Sequence, residues 1–196
     1  MDDKYLTILE YSKILEQLAQ HTSFSAGTEL ALSLRPSADE TEVRRGIQET
    51  TEAKALLPTQ PGLATRGAHD VRPLVRRAVL GGMLRAGELL AVRSTLTSAR
   101  TLRKVLTHRA GDCPLLAAKG RRLQSLSGIV EEIGRCLDEE GRILDSASTT
   151  LARLRRDSRT ARERVIRRLR GIITSGQKAH FLQEPIITER NGRYVI

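Results

Sequence analysis

Between Thr149 and Thr174 apolar or small residues recur in steps of three and four, at Leu151, Leu154, Ser158, Ala161, Val165, Leu169 and Ile172. That spacing is close to a heptad repeat and predicts one uninterrupted helix with a seam along one side. At 1.5 Å per residue it is roughly 39 Å long. A compact knot of short helices does not cover such a rod along its whole length, so the helix is expected to project as an arm. Ser175-Gly176 ends it.

The residues before the arm read as shorter helices. Leu6 to Gln20 places Ile14, Leu15 and Leu18 at helical spacing behind Ser12, a candidate N-cap. Ser25 to Leu34 follows and stops before Pro36, because the residue preceding proline is pushed out of helical geometry. Asp39 is placed to cap the next helix and Glu42 to return the bond to the cap's own N–H. That helix runs to about Leu57 and is expected to bury Val43, Ile47, Ala53 and Leu57. Pro58 to His69, with two Pro and two Gly, reads as a loop or hinge. Asp70-Val71-Arg72-Pro73 starts a short helix ended by Gly81-Gly82, and Ala86 to His108 forms a long one with Leu89, Val92, Leu96, Ala99 and Leu106 in its seam. After the Gly111-Asp112-Cys113-Pro114 turn, two further helices are expected at Leu115 to Leu126 and Ile129 to Leu137, closed by Asp138-Glu139-Glu140-Gly141.

Beyond the arm, Glu184 to Arg190, then Asn191-Gly192, then Arg193 to Ile196 read as strand, type I′ turn and strand. A lone hairpin is marginally stable in water. The sequence is therefore expected to end where a β-containing domain begins. The fold class is all-α: a helical core bundle plus a long helix, ending in a truncated β-hairpin.

Composition agrees. Aromatic residues make up 3% of the chain and Trp is absent, so the core must be built from aliphatic side chains, which suits helices. The apolar stretches are far shorter than the ~20 residues a membrane span needs, and the acidic start MDDKYLTILE lacks a signal peptide's basic region. A cytoplasmic protein is expected. Cys113 and Cys136 form neither a CxxC pair nor a disulfide framework, and the four His are at least 39 residues apart, which argues against a zinc site.

No GxxxxGK[ST] loop or GxSxG elbow is present, and neither Cys has a nearby His to activate it, so no catalytic residue, cofactor or metal is assigned to the chain. Glu131-Glu132 and Asp138-Glu139-Glu140 read as solvated charges and cap residues. The charge distribution is more informative. Residues 1–98 hold 12 Lys+Arg against 12 Asp+Glu, whereas residues 99–196 hold 21 against 11, so the whole net charge of +10 lies in the second half. Arg153 to Arg170 alone contains nine Arg against Asp157 and Glu163. Guanidinium groups clamp phosphate bidentately, and the counterions they release make such binding favourable and salt-dependent. Arg155, Arg156, Arg159, Arg162, Arg167, Arg168 and Arg193 are the candidate nucleic-acid contacts. With no aromatic residue between Arg153 and Arg170, contact would be to backbone and shape and not by base stacking. The alternative is a basic helical protein–protein interaction module whose arginines solvate the arm or pair with an acidic helix. Composition alone does not separate the two.

Several segments resemble the MutS paralogues of the anti-recombination and ribosome-rescue branch, which carry a C-terminal Smr endonuclease domain. They are Leu9 to Ala19, Asp70-Val71-Arg72-Pro73-Leu74 with Gly81-Gly82, Asp138-Glu139-Glu140-Gly141 with Ile143 to Ser148, and Leu182 to Ile187 with Asn191-Gly192-Arg193-Tyr194-Val195. Together they extend over nearly all of the chain. The resemblance implies a helical core over residues 1–148, a lever helix over 149–176 and the start of a clamp domain over 177–196. It implies that a second lever helix and a dimerising ATPase that uses ATP and Mg lie outside this sequence. Branched DNA, or the rRNA of a stalled ribosome, would be the partner, and suppression of recombination or ribosome rescue the role. The Phe-x-Glu wedge of mismatch-reading relatives is not matched by Phe181-Leu182-Gln183-Glu184. The segment would be mechanical and positioning, without catalysis.

Overall fold

The structure, a computed structural model, describes residues 3–59, 67–175 and 186–196. Residues 60–66 of the expected loop, and the Gly176 and Glu184-Pro185 of the expected helix stop and strand start, lie outside these. The chain divides into two compact units, Met1–Arg142 and Ile143–Ile196. It is mostly helical, with strands only in a C-terminal hairpin among the described residues. No helix among the described residues is long and apolar enough to cross a membrane.

The first unit opens with α1 (Asp3–Ile8) and α2 (Tyr11–Gln20). The single helix expected from Leu6 to Gln20 is broken because Glu10 adopts a left-handed conformation, φ 51°. Glu10, not Ser12, occupies the position before α2, and its carboxylate pairs with Lys13 Nζ at 2.6 Å. Helix α3 (Ser25–Leu32) packs on α2 and stops short of Pro36 as expected.

Helix α4 (Glu40–Thr59) starts at its expected cap: Asp39 Oδ1 accepts from the N–H groups of Thr41 and Glu42 at 2.8 and 3.2 Å. Glu42 does not close a capping box with Asp39. Ser37 stands between them, its hydroxyl donating to the Glu42 carboxylate and accepting from Asp39 N–H. The buried face of α4 also differs from expectation. Val43, Ile47 and Leu57 are exposed and Ala53 is half-buried, while Glu52 and Leu56 are the buried residues. The reason lies in α7 (Pro114–Arg122), which packs on α4. The first turn of any helix has N–H groups without intrahelical acceptors. Pro114 at the start of α7 removes one, and the Glu52 carboxylate accepts from the next two, Leu115 N at 3.3 Å and Leu116 N at 2.9 Å. One turn along α4, Glu49 pairs with Lys119 at 2.5 Å. The Glu52 carboxylate, with Leu56 buried against Leu106 and Cys113, thus selects the face. Helix α4 also runs through Pro58 to Thr59, whose hydroxyl closes the end on Leu56 O at 2.8 Å.

Helix α5 (Arg72–Val79) is tied to α3 through Asp70, which accepts from Ser25 Oγ at 2.9 Å and from the Arg72 guanidinium at 2.6 Å, while Arg72 also forks onto Glu29 at 2.9 Å. Gly81, φ 79°, turns the chain out of α5. Helix α6 (Ala86–His108) is half-buried nearly all round from Glu88 to Ala99, because it lies between neighbours and not against one seam. A Cβ at Gly67, φ 86°, would stand 2.6 Å from Ser94 Oγ of α6, so only glycine fits there. Helix α7 and α8 (Ser127–Cys136) pack on α6. The core joins Leu56, Leu106 and Cys113, with Leu102 and Leu116 against it. Gly120 lets α7 approach α6 closely, since its Cβ would lie 2.9 Å from that of Leu106. The chain leaves the unit through a turn in which Asp138 accepts from Arg142 N and Nε at 2.8 and 2.6 Å and Gly141 takes φ 80°.

The second unit holds a 3-10 turn (Asp145–Ala147), α9 (Thr149–Ile173) and the antiparallel pair β1 (Thr188–Arg190) and β2 (Arg193–Val195). The Ser148 hydroxyl accepts from Leu151 N at 3.4 Å at the start of α9. Asn191 and Gly192 have φ 51° and 73°, both positive as a type I′ turn requires, and the register pairs Glu189 with Tyr194 and Arg190 with Arg193.

Truncating Glu52 to Ala leaves two N–H groups at the start of α7 without their acceptor and is expected to cost about 1–3 kcal/mol, read as a lower urea midpoint with unchanged slope. Gln, which keeps a neutral acceptor, should cost less. An Ala variant as stable as the parent would contradict the capping role. The exposed carboxylates supply a second expectation. Asp70 is held below its ordinary value chiefly by the Arg72 hydrogen bond, Glu88 by Arg77, Asp138 by Arg142 and Glu132 by Arg135. A value depressed on folding means stabilisation that is complete above the ordinary carboxylate range and lost as pH falls below it through the depressed value. The melting temperature should therefore hold near neutrality and fall below about pH 4.5, less steeply in high salt. A midpoint flat down to about pH 3 would show these pairs contribute nothing.

Candidate nucleic-acid interface on the arginine-rich helix

Helix α9 buries none of its 25 residues. Its arginines nevertheless fall into two groups, set by helical spacing and by what lies beside each.

One group is engaged within the unit. Arg155 donates through Nη1 to Ile143 O at 2.8 Å and to Asp145 Oδ1 at 2.7 Å, holding the segment that leads into the helix. Arg162, seven residues on and so on the same side, donates to the Tyr194 hydroxyl and, at 2.5 Å, to the Glu189 carboxylate. Its guanidinium carbon also lies 5.4 Å from the centre of the Tyr194 ring. Tyr194, chiefly through its hydrogen bond, and after it the charge of Glu189 hold Arg162 above its ordinary value. Ile166, Leu169 and Ile173 continue that side and are half-buried, and Ile173 lines a shallow cleft with Arg170, Thr174, Ile186 and Ile187.

The second group runs beside the first, with Arg159 and Arg170 adjoining it and Arg156 and Arg167 turned farther away. Arg156, Arg159, Arg167 and Arg170, with Glu163 among them, recur in steps of three and four, and Arg153 and Arg164 flank this stripe. Arg153 pairs with Asp157 at 3.5 Å. Arg156, Arg159, Arg164, Arg167, Arg168 and Arg170 are exposed and have no carboxylate partner among the described residues. Arg168 lies on the flank between stripe and seam. Arg193 is exposed on β2, directly across from Arg190. Like charges facing each other across a strand pair are destabilising, and an anion between them relieves the cost.

Of the seven candidate contacts, Arg156, Arg159 and Arg167 thus lie along one exposed stripe of α9, Arg168 is exposed on its flank, Arg193 sits at the hairpin tip, and Arg155 and Arg162 are directed to other partners. Counting arginines passed over Arg164 and Arg170, which belong with the exposed group. It also passed over Glu189 and Tyr194, although the signal was present: an Asn-Gly I′ turn fixes the pairs 190–193 and 189–194, which puts Glu189 and Tyr194 on one face. The seam opposite the stripe is open in its middle, with Leu154 53% and Val165 43% exposed. No group of three or more His, Cys, Asp or Glu placed to hold a metal occurs among the described residues.

No protein-family model matches the chain. Curated relatives do. The Endonuclease MutS2 of Symbiobacterium thermophilum is 40% identical over 196 residues, all of this chain and 24% of that protein. The Endonuclease MutS2 of Pelotomaculum thermopropionicum is 39% identical over 196 residues, and the Putative endonuclease MutS2 of Bacillus subtilis 33% identical over 199; each match takes in all of this chain and 25% of the relative. The chain therefore spans about a quarter of the length of the curated relatives it matches.

Proposed function

With the chain a segment of the MutS2 family, we propose that it is the core and lever part of a dimeric, cytoplasmic ATPase that binds branched DNA or stalled ribosomes. Residues 1–148 act as the core, 149–176 as the lever and 177–196 as the start of the clamp. ATP, Mg, the dimer contact and the endonuclease chemistry that the relatives' names record belong to parts of the protein outside this sequence. The segment itself positions nucleic acid and transmits movement, in suppression of recombination or rescue of ribosomes.

The observation that carries this reading is the exposed stripe of Arg156, Arg159 and Arg167, with Arg164, Arg168 and Arg170 beside it, all without carboxylate partners among the described residues. Unneutralised guanidiniums along one side of a rigid helix form a track for a phosphate backbone, and each phosphate neutralised releases a counterion. A rigid helix moves as a unit between discrete arrangements, which suits a lever. The open seam at Leu154, Ser158, Ala161 and Val165 favours a second reading, in which the arm chiefly receives another helix. The two readings differ in their dependence on salt.

In the full-length protein, replacing Arg156, Arg159, Arg167 and Arg168 by Gln should weaken binding to a four-way DNA junction or to ribosomes. It should also reduce the slope of log affinity against log salt by about 3 to 4, roughly 0.9 for each phosphate that is no longer neutralised. Glu163→Gln, which removes the one carboxylate within the stripe, should strengthen binding several-fold. An unchanged slope for the fourfold variant, together with no effect at Glu163, would leave the helix-docking reading.

A further inference from the structure

Arg162 differs from the arginines around it in having two partners on another element, and both come from the hairpin. Glu189 and Tyr194 are a cross-strand pair, so one face of the β1–β2 ladder presents a carboxylate and a phenol side by side. The Arg162 guanidinium meets both, one prong on each, and lies 5.4 Å from the centre of the Tyr194 ring. To bind a phosphate, Arg162 would have to leave a charge-assisted hydrogen bond and an aromatic face together. It also stands on the side of α9 that holds chain segments, in line with Arg155 below it and with Ile166, Leu169 and Ile173 above. Of the unpartnered arginines, Arg156, Arg164, Arg167 and Arg168 are turned well away from that side, while Arg159 and Arg170 adjoin it.

We infer that Arg162 is a positioning residue: it clasps the hairpin to the long helix through Glu189 and Tyr194, fixes the direction in which the hairpin leaves the arm, and makes no phosphate contact. The inference rests on the proposed lever role for its purpose but not for its geometry. A three-residue strand pair with no further strand among the described residues has little to hold its orientation, and Ile173, Ile186 and Ile187 line only a shallow open cleft. One guanidinium that bridges both strands at once sets the hairpin's angle as well as its attachment. Lysine keeps the charge but lacks the planar fork that reaches two acceptors.

The test uses the full-length protein with Arg162→Ala, Arg162→Lys, Glu189→Gln and Tyr194→Phe variants and the Arg162→Ala/Glu189→Gln double. Hydrogen exchange is followed at the amides of residues 188–195, and the salt dependence of binding to a synthetic four-way DNA junction is measured alongside. The clasp predicts exchange about threefold or more faster in Arg162→Ala, Arg162→Lys and Glu189→Gln, a smaller effect in Tyr194→Phe, and a double variant no faster than the singles. The salt slope should stay that of the parent in all of them. Unchanged exchange in Arg162→Ala, or a slope lower by about 1 as when one phosphate goes unneutralised, overturns the assignment. Should the parent protein show no salt-dependent junction binding, the lever-and-track reading fails, while exchange and its non-additivity still decide the clasp.

Discussion

Nine guanidiniums within eighteen residues cannot be taken out of water, because each buried charge without a partner costs several kcal/mol and the same stretch supplies only two carboxylates. This constraint keeps α9 out of any core, and much else follows from it. A helix of 25 residues with no buried position has to be held by side chains along its surface. The structure does so with two of the arginines themselves, Arg155 on the segment entering the helix and Arg162 on the hairpin after it. The arginines left over are arranged by the helical repeat alone, and the repeat gathers them on the side opposite the seam.

The first unit solves a different problem with the same chemistry. Its core is small and aliphatic, and the orientation of its helices is set as much by charge as by apolar fit. Glu52 caps α7, Glu49 meets Lys119 one turn away, and Asp70 with Arg72 and Glu29 fastens α3 to the start of α5. Many aliphatic side chains, Val79, Leu80 and Met83 among them, remain exposed.

Most of the helices were legible in the sequence, for reasons visible at particular residues. Helix α6 and the start of α9 carry strong periodicity and lie where expected, and the Asn191-Gly192 turn specified the hairpin and its register. Two misreadings have physical causes. Periodicity alone assigned Val43, Ile47 and Leu57 to the core of α4, yet the orphaned amides of α7 drew Glu52 inward, a long-range demand that no local pattern displays. The break at Glu10 was hidden because a left-handed non-glycine residue has no sequence mark. At the candidate site, composition and spacing identified the arginine-rich helix and its exposed residues. They did not separate Arg155 and Arg162 from the rest, because the partners of these two lie 10 to 32 residues away in sequence.

The central claim is that α9 has a side that holds the protein's own chain and a side offered to a phosphate backbone. Photo-crosslinking tests it most directly: a photoreactive amino acid placed singly at positions 155, 156, 159, 162 and 167 of the full-length protein, irradiated with a four-way DNA junction and, separately, with ribosomes. The account predicts nucleic-acid adducts from positions 156, 159 and 167 and none above background from 155 and 162. Adducts from 155 and 162 as strong as those from the other three, or no adducts from any position with either partner, would contradict it.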